Sequence, residues 1–66
     1  MNLRTARRLK DITQEELARR AGVDQTTISD IERGKSRNPS LETARKIADA
    51  LGVTVDDIFP AQQAVA

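Results

Sequence analysis

The side chains of this 66-residue chain that carry reactive or binding chemistry are carboxylates, guanidinium and ammonium groups, amides and hydroxyls, for it has no histidine and no cysteine. That inventory removes imidazole acid/base chemistry, thiolate nucleophiles, disulfides and thiolate metal sites. Two acidic pairs remain, Glu15-Glu16 and Asp56-Asp57. Neighbours in a helix do not face each other, so neither pair can divide general acid and general base roles. A single small core also leaves little room for a substrate pocket. No oxygen-rich loop has the spacing of a cation site. No enzymatic activity, metal or cofactor is expected.

What remains is recognition by charge and hydrogen bonding. The net charge is only +1, but it is unevenly distributed: residues 1–10 carry +4 through Arg4, Arg7, Arg8 and Lys10, residues 11–34 carry −3, residues 35–46 carry +3, and Asp49, Asp56 and Asp57 close the chain at −3. Folding that joins the two basic segments gives a stripe attractive to phosphates, with an acidic face elsewhere; the plainer alternative is a mixed, solvated surface. No apolar run approaches the roughly 18 residues that span a bilayer, and no apolar segment follows the basic N-terminus. A cytoplasmic protein without a membrane partner is expected.

The elements that position these groups are short helices divided by Gly22, Gly34, Gly52, Pro39 and Pro60. Leu3, Ala6 and Leu9 line a first helix that fades before Ile12, with Asp11 in the turn. Thr13 and Glu16 have the form of a capping box, opening a second helix that buries Leu17, Ala18 and Ala21 and stops at Gly22. Asp24 caps a third helix anchored by Ile28 and Ile31 and ended by Gly34; its outer face presents Thr26, Ser29, Asp30 and Arg33, with Gln25 exposed near the start. After the basic loop Lys35-Ser36-Arg37-Asn38, Ser40 caps a fourth helix that turns Leu41, Ala44, Ile47, Ala48 and Leu51 inward until Gly52. Thr54 and Asp57 resemble a last capped start, with Val55, Ile58 and Phe59 as one apolar turn before Pro60. Residues 1–60 are expected to form one all-α domain and residues 61–66 a tail without structural signal.

Two helices joined by a tight glycine turn have the geometry of a helix-turn-helix. Thr13-Gln14-Glu15-Glu16-Leu17-Ala18, Ala21-Gly22-Val23, Ile28-Ser29 and Ile31-Glu32-Arg33-Gly34-Lys35, continued by Pro39, Leu41, Ile47, Ala48, Leu51-Gly52-Val53 and Ile58, resemble the xenobiotic response element family of phage repressor and Cro-type regulators. The resemblance covers residues 3 to 59. It implies a compact five-helix, lambda-repressor-like bundle that binds double-stranded DNA, with the third helix (about 24–33) reading the major groove and repression as the default outcome.

Carried over position by position, the resemblance implies that Gln14 donates to a phosphate, that Gln25, Thr26, Ser29 and Asp30 face bases, and that Arg33, Lys35 and Arg37 clamp phosphates. Gln25 suits a bidentate pair with adenine, the Thr26 methyl a thymine methyl, and Ser29 either base or backbone. Asp30 departs from the pattern, since a carboxylate is repelled by phosphates; it either accepts from cytosine N4 or is held by Arg33 or Arg37 and rejects wrong bases. Ser40 is read as a cap whose helix start also holds a phosphate. Arg7 and Glu32 match a structural ion pair that fixes the angle of the reading helix.

One module of this size covers little DNA, so a homodimer on a pseudo-palindromic operator is expected, with Val55, Ile58, Phe59 and Val65 as candidate dimer contacts. The competing reading of Val55, Ile58 and Phe59 is that they finish the core. No small-molecule ligand is expected. The competing function on the same fold is a protein-interaction module, such as an antitoxin or an antagonist of another regulator. Against it stand the retained Gln14 and a small, polar outer face on the third helix.

Overall fold

Asn2 starts the first helix: its side-chain carbonyl accepts the Thr5 N–H at 2.8 Å, and α1 runs over Leu3–Leu9. The computed structural model describes residues 2–35 and 39–59. Among these it is all-helical, with α2 at Gln14–Ala21, α3 at Gln25–Arg33, α4 at Leu41–Leu51 and α5 at Val55–Ile58. No described helix is long and apolar enough to cross a membrane.

Four of the five helix starts are capped by short polar side chains. Thr13 Oγ1 accepts the Glu16 N–H and Ser40 Oγ the Thr43 N–H. Thr54 and Asp57 form the reciprocal capping box expected of them. The box expected at Thr13 and Glu16 is only half made. The Glu16 carboxylate turns instead to Arg19 and Arg20, three and four residues on, where the helix places them on its own face. Asp57 has no such competitor, because Pro60 and Ala61 occupy the corresponding positions. Asp24 precedes α3 without a side-chain cap; its backbone carbonyl already takes the Thr27 N–H at 3.0 Å.

The helix ends explain how short the turns are. At Gly22 (φ 72°) the chain enters the left-handed region, so that Val23 N–H reaches the Ala18 carbonyl at 3.0 Å and closes α2. Only Val23 and Asp24 then separate that glycine from α3. Asp11 is in the same conformation (φ 56°) after α1, where Ile12 N–H reaches back to the Arg7 carbonyl at 3.4 Å. It is the one residue with a side chain to take this conformation among the described residues.

The core lies where α2 packs on both α3 and α4, and its largest fully buried side chains are Leu17, Ile28, Ile47 and Leu51. Leu3 and Ala6 close it from α1, and Val55, Ile58 and Phe59 from the C-terminal turn. Those last three are buried within the chain itself, where α5 packs on α4. Val65 lies outside the described residues. Leu9 is 70% exposed, because it is rotated well away from Leu3 around the helix axis. Leu41 is 45% exposed rather than inward, since it occupies the first position of α4, one turn beyond Ala44 and the body of the core.

Candidate nucleic-acid interface

Three helix ends meet at the Glu32 carboxylate. Glu32 belongs to the last turn of α3, and its side chain is fully covered. Arg7, on α1, gives it two hydrogen bonds, Nε to Oε2 at 2.7 Å and a terminal nitrogen to Oε1 at 3.1 Å. The other terminal nitrogen of Arg7 donates to the Ile12 carbonyl at 2.9 Å, which ties the pair to the turn before α2. Gln14, the first residue of α2, donates its amide to Oε1 at 3.2 Å, and Arg4 donates Nε to the same oxygen at 3.2 Å. The two helices of the helix-turn-helix are therefore braced at Glu32 as well as joined through Gly22.

The electrostatics follow from this geometry. Burial pushes the Glu32 carboxyl up, but the hydrogen bonds from Arg7, Gln14 and Arg4 and the charge of Arg7 outweigh it and hold the group below the ordinary carboxylate range. The hydrogen bond to Glu32 raises Arg7 in turn. Glu16 is lowered by its hydrogen bonds to Arg20 and Arg19.

The outer side of α3 exposes Gln25 and Thr26 and leaves Ser29 and Asp30 half-buried. These four side chains share one helix that Ile28 pins to the core. No ion pair from Arg33 reaches Asp30 among the described residues. Arg33 ends α3 and Lys35 follows Gly34, and both are exposed. Arg37 lies outside the described residues. Ser40 is exposed at the start of α4, where its hydroxyl accepts the Thr43 N–H at 3.1 Å and donates to the Thr43 hydroxyl at 2.9 Å. Val55, Ile58 and Phe59 take no part in this surface.

Not every basic residue converges on this region. Lys10 Nζ lies beside Gly52, at the C-terminal end of α4, whose last turn has no base of its own. A cation there complements the partial negative charge of the helix end. Arg19 and Arg20 are engaged by Glu16 on the outside of α2. Sequence reasoning missed Arg4, which joins the Glu32 cluster. The signal was available in its position three residues before Arg7, on the same helix face.

Comparison with known proteins gives a consistent result. Residues 3–58 match the helix-turn-helix family. An uncharacterised HTH-type transcriptional regulator of Methanocaldococcus jannaschii is 49% identical over 57 residues, covering 86% of this chain and 85% of its own length. A second such regulator, from Sinorhizobium fredii, is 45% identical over 53 residues, 80% of this chain and 68% of its own length. The control protein C.MunI of a Mycoplasma species is 43% identical over 49 residues, 74% of this chain and 65% of its own length.

Proposed function

We propose that this chain, which belongs to the helix-turn-helix family of DNA-binding transcriptional regulators, is a sequence-specific repressor that lays α3 in the major groove of an operator. The observation that carries this reading is the placement of Gln25 and Thr26, with Ser29 and Asp30 beside them, on a polar outer face of α3 whose far end is fixed to α1 and α2 through Glu32. A major groove presents distinct donors, acceptors and methyl groups for each base pair, and amide, hydroxyl and carboxylate side chains on a rigid helix suit them. Asp30 selects by accepting from cytosine N4; Arg33, one of the two arginines that could hold it instead, forms no ion pair with it.

Phosphate contacts flank that face. Gln14 Nε2 carries two hydrogens, and Glu32 takes one. The other is directed at a phosphate, from a side chain already held in position. Arg33 and Lys35, with Arg37 from the same basic stretch, supply positioning contacts beyond the end of α3, and Ser40 adds one at the start of α4. The protein acts as a homodimer on a pseudo-palindromic site, in the cytoplasm. Support for the location is that the relatives named above come from prokaryotes, whose DNA lies there.

Titration of the chain against duplexes carrying one or two copies of its preferred half-site, with mass measured on the complex, tests this reading. Cooperative binding of two chains to the symmetric duplex is the expected outcome, as is lowered output from a promoter that overlaps the site. One chain per symmetric duplex would overturn the dimer, and unchanged promoter output would overturn repression. Equal affinity for all duplexes at near-physiological salt would favour a protein partner instead.

A further inference from the structure

The Glu32 cluster contains more positive charge than its anion neutralises. Arg4 and Arg7 both bond the single Glu32 carboxylate, whose side chain is fully covered. Arg7 is nearly covered as well, at 14% side-chain exposure, and both of its terminal nitrogens are engaged. The uncompensated charge therefore reaches solvent at Arg4, whose side chain is 51% exposed. Arg4 is held through Nε alone among the described residues. Its two terminal nitrogens keep their four N–H donors, the planar fork that matches a phosphate. The arginine is thus oriented by its stem while its tip stays free. Arg4 Nε and Gln14 Nε2 also bond the same atom, Glu32 Oε1, so the two side chains converge on one point.

We infer that Arg4 is a further phosphate-contacting residue, which grips the duplex backbone beside Gln14 within one nucleotide of the phosphate Gln14 takes, with Glu32 as the positioning residue for both. The inference rests on the DNA-binding reading above and extends its contact surface to α1. An arginine whose Nε is already anchored loses less conformational freedom on meeting a phosphate than a free surface lysine does. Glu32 serves the contact although it is an anion, because it is covered and outnumbered by Arg4 and Arg7.

The test compares the wild type with Arg4→Gln on its preferred duplex across a salt series and on duplexes carrying one neutral methylphosphonate at each backbone position in turn. Loss of one phosphate contact is expected to lower the slope of log affinity against log salt by about 0.9 per bound chain, equivalent to about fivefold at 0.15 M salt. One phosphate whose neutralisation weakens the wild type is expected to make no difference to Arg4→Gln. Arg4→Lys, which cannot hold Glu32 through a stem nitrogen while presenting a fork, is expected to recover charge but only part of that coupling. Arg4→Gln protein that melts cooperatively, binds with the wild-type salt slope and shows the wild-type methylphosphonate pattern would overturn the assignment while leaving DNA binding intact. Wild-type protein that fails to bind any duplex would overturn both.

Discussion

Glu32 illustrates how one side chain can serve stability and recognition together. Its carboxylate is fully covered and accepts from Arg7, Gln14 and Arg4, which holds its pKa below the unfolded value of about 4.3. A carboxyl depressed in the folded state contributes its full stabilisation above the unfolded pKa and loses it as pH falls through the folded one. Glu32→Gln is therefore expected to cost about 3 kcal/mol at pH 7, chiefly because the nearly covered Arg7 is left without its anion. The gap between variant and wild type should narrow as pH falls below the unfolded value and toward the folded one, as measured by urea unfolding at pH 7 and pH 3. Parallel loss in the two proteins would show that the cluster does not titrate with folding. The Arg7 and Glu32 positions were legible in the chain through family resemblance. That Gln14 and Arg4 share the Glu32 oxygen was not, because hydrogen bonds between residues 18 and 28 apart depend on how three helices dock.

At the scale of elements, helix boundaries were the most readable feature, since they depend on local chemistry. Thr13, Ser40 and Thr54 cap as their types suggest, and Gly22, Gly34 and Gly52 all take positive φ. Errors arose where two local interactions compete or where an element ends. Glu16 chose Arg19 and Arg20 over its capping box, and Leu41 follows the apolar pattern of α4 but lies past the edge of the core. Asp11 shows the reverse, a charged residue in a conformation that favours glycine. Asp11→Gly is expected to stabilise the fold by about 1 kcal/mol, by relieving left-handed strain at the end of α1. A raised midpoint in urea would verify this. A lowered midpoint would mean that the flexibility glycine adds to the unfolded chain outweighs the strain relieved.

The whole molecule has one small core, so its margin is narrow. A domain of this length has a total stability of about 3–10 kcal/mol, and truncating a fully buried leucine costs about 2–5. Leu17→Ala is thus expected to remove much of the stability, whereas Leu9→Ala, at a site 70% exposed, should change it by less than about 0.5 kcal/mol. Thermal melts of both variants check the contrast. The same economy explains why Val55, Ile58 and Phe59 go to the core: a chain this short has few apolar side chains to leave for a partner. Their fate was not legible in the sequence because one apolar turn reads alike whether it closes a core or a dimer. The central claim is that the outer face of α3 reads DNA sequence. Selection of bound duplexes from a random pool at near-physiological salt, run with the wild type and with Gln25→Ala, tests it most directly. The wild type is expected to enrich a two-fold symmetric motif, and Gln25→Ala to keep that motif except for lost preference at one position in each half-site. Folded wild-type protein that enriches no motif, or a motif that Gln25→Ala reproduces in full, would contradict the claim.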